Sequence, residues 1–131
     1  MRVAELMQRN VRTIASEANV AEVVLSLADA HVSGLPVVDK GGRMIGVVSA
    51  TDVLTAEAES PGVRQDVLEE TSVREIMTAR PYTVLPDEDV REAARQMLYA
   101  DVHRLFVVEG DRLLGVISTT DIVRAVATGK L

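Results

Sequence analysis

Residues 46–53 read GVVSATDV, and residues 115–122 read GVISTTDI. Each stretch starts with a short apolar run and ends in Ser-x-x-Asp. The apolar run predicts a β-strand. The Ser-x-x-Asp part predicts a helix N-terminus, because a serine hydroxyl can accept a hydrogen bond from the third helical N–H. We therefore expect the fold to contain the same strand-to-helix junction twice.

The similarity between the two junctions extends over most of the chain. VAELM at residues 3–7 corresponds to VREIM at residues 73–77. The other identical pairs that precede the turn include Thr13 and Thr83, Val20 and Val90, Glu22 and Glu92, Val32 and Val102, Leu35 and Leu105, Val37 and Val107, and Val38 and Val108. A one-residue deletion in a glycine-containing turn then aligns Gly41 with Gly110 and leads into the two junctions. The chain is a tandem duplication.

Both copies predict the same order of elements. A short strand at Thr13 or Thr83 precedes a helix that starts at Asn19 or Asp89, each followed by glutamate three positions later, the pattern of a capping box. Two apolar runs separated by a glycine-containing turn then predict a β-hairpin, which ends at the junction with the second helix. This order predicts an α+β fold of two β-α-β-β-α repeats.

The segment between the copies has a different composition. It is rich in glutamate and contains Ser60-Pro61-Gly62, which predicts a linker with one helical turn around residues 64–69. The predicted domain boundaries are 1–59 for the first repeat, 60–71 for the linker and 72–131 for the second repeat.

Composition limits the classes of function. The 131 residues contain no cysteine, which excludes disulfides, thiolate metal sites and cysteine nucleophiles. The net charge is -6, and no block of Lys or Arg is present, so nucleic acid is not expected as a partner. No apolar run is long enough to span a bilayer, and the N-terminus has no signal-peptide pattern. We expect a cytoplasmic protein without a membrane partner.

The duplicated pattern resembles a tandem cystathionine-β-synthase domain pair, the CBS pair or Bateman module. The resemblance rests on the two lead-ins at residues 3–7 and 73–77, on SGLPVVD at 33–39, on HRLFVVE at 103–109, and on the two junctions. It implies two sheets related by a pseudo-two-fold axis, with two clefts between the repeats that bind adenosyl compounds. The implied ligand is AMP, ADP or ATP, with S-adenosylmethionine as a further candidate, and no cofactor is implied.

Two interpretations of Ser-x-x-Asp remain open. Asp52 and Asp121 can serve only as caps at the positive end of a helix dipole. Capping boxes normally use glutamate at this position, however, and both junctions use the shorter aspartate. A short carboxylate at a helix N-terminus can instead accept two hydrogen bonds from a ribose diol. The resemblance implies this second role, with Ser49 and Ser118 facing phosphate.

The residues in front of the hairpin strands differ between the repeats. The second repeat has His103 and Arg104, where the first has Ser33 and Gly34. The resemblance implies that each pair serves the cleft of the opposite repeat, so that the two basic residues would bind phosphate beside Asp52. The alternative is a solvated strand entrance in which Arg104 pairs with an acidic side chain.

Three aromatic residues, Tyr82, Tyr99 and Phe106, all belong to the second repeat. The resemblance places Tyr82 and Phe106 near the base pocket of Asp121, whereas Tyr99 is expected to pack on a helix. Phe106 stands where the first repeat has Pro36, and it could either support the base or fill the pocket.

We predict a regulatory module that binds an adenosyl ligand and acts on an unidentified effector protein. The alternative is a structural dimerisation module with vestigial clefts, and the apolar residues Val53, Leu54, Ile122, Val123 and Val126 predict a homodimer in either case. No nucleophile, metal-ligand or P-loop pattern predicts an enzyme. The predicted nucleotide-binding residues are Thr13, Ser33, Gly34, Ser49, Thr51, Asp52, Thr83, His103, Arg104, Ser118, Thr120 and Asp121, with no catalytic or metal-binding residue.

Overall fold

The computed structural model describes residues 1–59, 65–79 and 81–131. After the lead-in helix α1 (Val3–Leu6), the first repeat comprises β1 (Ile14–Ala15), α2 (Val20–Ala30), β2 (Gly34–Val38), β3 (Met44–Ser49) and α3 (Ala50–Glu59). The linker helix α4 (Gln65–Glu70) and a second lead-in, α5 (Val73–Ile76) and β4 (Thr78–Ala79), follow. The second repeat comprises β5 (Thr83–Val84), α6 (Val90–Ala100), β6 (Arg104–Glu109), β7 (Arg112–Ser118) and α7 (Thr119–Ala127). The predicted α+β fold of two β-α-β-β-α repeats is confirmed.

The helix starts show which local signals were correct. The side chain of Asn19 accepts a hydrogen bond from the Glu22 backbone N–H at 2.9 Å, as predicted for an N-cap. Asp89 caps α6 through the Arg91 backbone N–H at 2.8 Å. The predicted capping box at Asp89 was wrong, because Asp89 accepts from the second helical N–H rather than the third and the Glu92 carboxylate bonds the exposed Arg95 at 2.6 Å. At Asn19, only the half of the box made by the asparagine side chain is formed.

The linker was predicted to contain one helical turn, and α4 occupies most of that range. The predicted break at Ser60-Pro61-Gly62 lies outside the described residues.

The two compact units of the chain are divided differently from the two sequence repeats. One unit contains residues 1–11 and 82–131, and the other contains residues 12–81. Each lead-in is therefore part of the unit formed by the other repeat. The predicted boundaries of the repeats describe the duplication in the sequence. The two compact units describe which segments pack together in the folded chain.

In the unit of residues 12–81, the sheet has the strand order β1-β2-β3-β4. β1 pairs in parallel with β2, and the β2–β3 hairpin continues antiparallel to β4 of the lead-in. The core of this unit lies on one face of the sheet and contains the buried residues Ile14, Val23, Leu35, Val37, Val48 and Val73.

In the other unit, the sheet has the order β5-β6-β7, and the lead-in adds a single antiparallel bridge between Gln8 and Val116. Its core contains Val3, Val84, Val90, Ala93, Met97, Leu105, Val107 and Ile117. The lead-in valines, Val3 and Val73, are fully buried in their respective units. Burying a valine side chain contributes roughly 1.5–3 kcal/mol, which accounts for the attachment of both lead-ins.

Candidate functional site

The Asp52 carboxylate lies at the N-terminus of α3 and is half-buried. One oxygen, Oδ2, accepts hydrogen bonds from the backbone N–H of Ser49 at 2.8 Å and from its hydroxyl at 3.0 Å. The Asp52 backbone N–H lies 3.1 Å from the Ser49 hydroxyl oxygen, as in a capping box. The other oxygen, Oδ1, accepts a hydrogen bond from the Thr78 hydroxyl at 3.2 Å. Asp52 thus caps α3 through Oδ2 and accepts a hydrogen bond from the exposed Thr78 hydroxyl through Oδ1.

Asp121 occupies the same position at the start of α7. Its Oδ2 accepts from the Ser118 backbone N–H at 2.8 Å, and its own backbone N–H bonds the Ser118 hydroxyl at 3.2 Å. Oδ1 accepts a hydrogen bond from the side-chain amide of Gln8 at 3.1 Å and lies 3.7 Å from the Arg124 guanidinium. The Asp121 side chain is only 7% exposed. Unlike Asp52, it is buried and faces two nitrogen donors.

Both junctions form the predicted caps, which are compatible with either interpretation of Ser-x-x-Asp. The helix of each repeat begins after the serine, with the aspartate at its third position. A ribose or phosphate contact by the same residues is a separate property and stays a prediction.

The glycine that opens each junction explains how the lead-in reaches the carboxylate. A β-carbon on Gly46 would lie 2.7 Å from the Thr78 carbonyl oxygen, and one on Gly115 would lie 2.5 Å from the Gln8 carbonyl oxygen. Real β-carbons do not approach backbone oxygens this closely, so only glycine lets the lead-in pack there. The lead-in residue beside each glycine then contacts the aspartate of the same unit.

Gln8 and Thr78 are site residues that the sequence reasoning missed. They occupy equivalent positions, one residue after the Met7 and Met77 of the aligned lead-ins. The alignment of the two repeats contained a usable signal, since the residue that follows each lead-in, Gln8 or Thr78, is polar and can donate a hydrogen bond.

The serine and glycine of the first repeat lie close to its junction. Gly34 pairs with Ser49 across the hairpin, and the Ser33 carbonyl accepts from the Ala50 backbone N–H at 2.9 Å. In the second repeat, Arg104 pairs with Ser118, and the His103 carbonyl accepts from Thr119 at 2.9 Å. Ser33 and Gly34 therefore lie beside the junction of the first repeat, and His103 and Arg104 lie beside the junction of the second.

Arg104 is half-buried and His103 is exposed. Within residues 1–59, 65–79 and 81–131, Arg104 forms no salt bridge, so the predicted alternative in which it pairs with an acidic side chain is wrong for this part of the chain. The assignment of His103 and Arg104 to the Asp52 site stays a prediction.

The four threonines of the prediction are all exposed. Thr13 precedes β1 and Thr83 opens β5, while Thr51 and Thr120 lie in the first turns of α3 and α7. Among the described residues, none of these four side chains donates a hydrogen bond to the Asp52 or Asp121 carboxylate, so their nucleotide-binding roles stay predictions.

The aromatic residues differ strongly in exposure. Phe106 is 6% exposed and lies on β6 between Leu105 and Val107, with its side chain on the opposite face of the sheet. Tyr82 is 56% exposed, and its carbonyl accepts a bond from the Phe106 N–H at 3.4 Å. The prediction that Tyr99 packs on a helix was wrong, because its side chain is 95% exposed on α6.

The helices of both units present apolar side chains to solvent. Leu98, Tyr99, Val123 and Val126 are exposed on α6 and α7, and Val24, Leu25 and Leu54 on α2 and α3. A groove of about 380 Å³ lies between α6 and α7, and its walls include Met97, Leu98, Ile122 and Val123. Single exposed apolar residues are ordinary, whereas large contiguous apolar patches are typical of interaction surfaces.

Potential metal ligands do not cluster within the described ranges. No group of three or more His, Cys, Asp or Glu side chains in them could hold a metal ion. None of the helices there has the length and apolar character needed to cross a membrane.

The family model for the CBS domain matches residues 3–59 and again residues 73–128. The chain therefore belongs to the CBS domain family and carries two copies of the domain, which confirms the resemblance seen in its sequence.

Curated relatives are longer than this chain. The uncharacterised protein MJ1225 of Methanocaldococcus jannaschii is 28% identical over 122 residues, which are 93% of this chain and 41% of that protein. A homoserine O-acetyltransferase of Methanohalobium evestigatum is 27% identical over 125 residues, 95% of this chain but 24% of the enzyme. The chain thus spans less than half the length of these relatives, and in the enzyme the matching region is one part of a larger protein.

Solved structures match the chain over nearly its whole length. CBSX2 in complex with AMP has a TM-score of 0.83 and 28% identity, and the match covers 99% of this chain and 98% of that one. The CBS domain pair of protein MJ0100, in complex with 5'-methylthioadenosine and S-adenosyl-L-methionine, has a TM-score of 0.78 and 26% identity, covering 100% and 98%. Both similar structures hold an adenosyl compound.

Proposed function

We propose that the chain is a regulatory module that binds an adenine nucleotide, AMP, ADP or ATP, or a related adenosyl ligand such as S-adenosylmethionine. The observation that carries the proposal is the Asp52 carboxylate, which is half-exposed at a helix N-terminus with a single hydroxyl on Oδ1. A ribose diol can replace that hydroxyl and donate hydrogen bonds to the carboxylate, and the positive end of the α3 dipole favours an anion nearby.

Two further features support an adenosyl ligand. CBSX2 and the MJ0100 domain pair, which share this fold at 25% identity or more, hold AMP, 5'-methylthioadenosine and S-adenosyl-L-methionine. Arg104 supplies a positive charge with no salt-bridge partner among the described residues, and a guanidinium binds phosphate with charge-assisted hydrogen bonds.

The test is calorimetric titration of the chain with AMP, ADP, ATP, adenosine and S-adenosylmethionine. We expect at least one of them to bind, and Asp52→Ala to weaken that binding about tenfold or more, because hydrogen bonds to a charged group contribute about 1.5–3 kcal/mol. Asp29→Ala is the matched control, since it removes an exposed carboxylate on α2 and should leave affinity unchanged. Absence of binding by all five compounds at millimolar concentration would refute the proposal.

The second candidate function is a structural dimerisation module. The exposed apolar side chains on α6 and α7 favour it, and a homodimer is also compatible with ligand binding. We expect the chain to be a homodimer in light scattering, and Leu98→Glu to give monomers because Leu98 is 83% exposed at the rim of the groove. The control Glu92→Ala changes an exposed residue on the same helix. A monomer mass for the unmodified chain at micromolar concentration would remove this candidate.

The ligand and the dimer together suggest how regulation would work. A ligand that binds one association state better than another shifts the equilibrium by its difference in affinity. We propose that an effector protein responds to this shift and that the chain performs no catalysis itself.

A further inference from the structure

The two aspartates occupy equivalent positions but have different surroundings. Asp52 is half-buried, whereas the Asp121 side chain is 7% exposed. Each aspartate uses Oδ2 to accept from the backbone N–H of its serine, so the difference that bears on a ligand concerns Oδ1. This is the oxygen that remains for a ligand.

At Asp52, Oδ1 accepts a hydrogen bond only from the Thr78 hydroxyl among the described contacts. A hydroxyl can rotate about its C–O bond and can also accept, so it can release the carboxylate and bond to an incoming ribose instead. Replacing this bond costs little, because one hydroxyl donor is exchanged for another.

At Asp121, Oδ1 faces the Gln8 amide at 3.1 Å and the Arg124 guanidinium at 3.7 Å. We name Gln8, Asp121 and Arg124 the Asp121 cluster. The Gln8 amide is the stronger partner, because the Arg124 side chain is 64% exposed and its attraction is screened by water. A ligand would have to displace both groups, and the Arg124 guanidinium cannot accept a hydrogen bond in return.

The space beside the Asp121 cluster is also small. Gln8, Asp121 and Arg124 line a cleft of about 130 Å³ together with Leu6, Ala125, Thr128 and Lys130. Ligand pockets normally have volumes of roughly 300–1,000 Å³, so this cleft is smaller than the pockets that usually enclose a ligand.

The aligned residues of the first repeat lack this arrangement. Gln8 corresponds to Thr78 in the lead-ins, and Arg124 corresponds to Thr55 in the helices after the junctions. Both donors of the Asp121 cluster are therefore threonine in the other copy.

Building on the proposed function, we propose that the Asp121 cluster closes the second junction, so that Asp52 is the carboxylate that binds the ribose diol. Gln8 and Arg124 are then specificity-determining residues that make the chain bind one ligand rather than two. The duplicated motif serves as a ligand site in one copy and as a structural cap in the other.

The test uses AMP and a variant in which Gln8 and Arg124 are replaced by threonine, the residue at both aligned positions of the other copy. Calorimetric titration of the unmodified chain should give one AMP per chain, and Asp121→Ala should leave its affinity within about threefold. The double variant Gln8→Thr/Arg124→Thr should bind two AMP per chain, with the second site strengthened about tenfold or more. Arg91→Thr is the matched control, because it removes an exposed cation of the same unit away from Asp121 and should leave the stoichiometry at one.

The cluster itself is tested without ligand by a double-mutant cycle. The melting temperatures of Gln8→Ala, Asp121→Asn and the double variant should be non-additive if the amide bonds the carboxylate, and additivity would overturn the inference. Two equivalent AMP sites in the unmodified chain would overturn it while leaving the proposed function intact. Failure of the unmodified chain and of every variant to bind AMP, ADP, ATP, adenosine or S-adenosylmethionine, despite a non-additive cycle, would instead refute the proposed function and leave the cluster as a structural contact.

Discussion

The two Ser-x-x-Asp junctions have nearly the same sequence and the same capping geometry, but the folded chain surrounds them differently. Asp52 retains partial exposure beside the Thr78 hydroxyl, and Asp121 is buried beneath Gln8 and Arg124. The difference arises outside the motif, in the lead-in and one turn along the helix. A duplicated motif therefore does not imply duplicated chemistry, because the atoms left for a ligand depend on residues that the motif does not contain.

The largest expected difference concerns the glycines against which the lead-ins pack. Gly115→Ala should lower the free energy of unfolding by about 3 kcal/mol and Gly46→Ala by about 2 kcal/mol, within the range measured for overpacked sites. The new methyl on Gly115 meets the Gln8 carbonyl at 2.5 Å, while that on Gly46 meets the Thr78 carbonyl at 2.7 Å. Urea unfolding measures both.

Gly41→Ala is the control for these two variants. Its added β-carbon has one neighbour within 4 Å, a carboxylate oxygen of Asp39 at 3.4 Å. We expect its stability to stay within about 0.5 kcal/mol of the unmodified chain. Equal unfolding midpoints for all three variants would show that the lead-ins do not pack against the glycines as described.

The next largest difference is expected between the two aspartates, in the free energy of unfolding that each substitution costs. Without ligand, Asp121→Ala should cost about 2 kcal/mol, because it removes a cap and leaves the Gln8 amide without its partner. Asp52→Ala should cost about 1 kcal/mol, the usual loss of a helix cap, since an exposed threonine hydroxyl bonds water instead. Urea unfolding of both variants decides the order, and a larger cost for Asp52 would reverse our comparison of the two sites.

The third test concerns Arg104, a cation of the second repeat that has no charged counterpart at the aligned position of the first repeat. Arg104→Ala should weaken AMP binding about tenfold, or about 1.4 kcal/mol, and leave adenosine binding unchanged, because only AMP carries a phosphate. Calorimetry with both ligands measures this selectivity, and Arg112→Ala, an exposed arginine on β7, is the control. If adenosine and AMP weaken equally, Arg104 does not bind phosphate.

The smallest effect is expected at a surface pair that only the first repeat has. Arg12 and Asp29 form a salt bridge at 2.6 Å, where the second repeat has Tyr82 and Tyr99. The two side chains are 50% and 73% exposed, so Arg12→Ala should change the free energy of unfolding by less than about 0.5 kcal/mol, and by even less in high salt. A loss above 1 kcal/mol in thermal unfolding would show that this pair contributes more than its exposure implies.

Sequence patterns were sufficient for the features that depend on neighbouring residues. The hairpins follow from apolar runs on either side of a glycine-containing turn. The helix starts at Asn19 and Asp89 and the serine caps of both junctions follow from hydrogen bonds that span three positions or fewer. The linker helix was predicted for the same reason. Errors arose where exposure decided the outcome, as at Tyr99, which was expected to pack and is 95% exposed.

The sequence alone determined that this protein consists of two equivalent repeats, each with a capped carboxylate after its hairpin. Only the tertiary structure decided which lead-in belongs to which unit, and hence which side chain meets each carboxylate. Gln8 and Asp121 are 113 residues apart, and no local periodicity connects them. Their contact depends on burial of Val3 in the core and on the missing β-carbon of Gly115, which together bring the lead-in onto the sheet. Such long-range packing made the two aspartates different while their own sequences stayed almost the same.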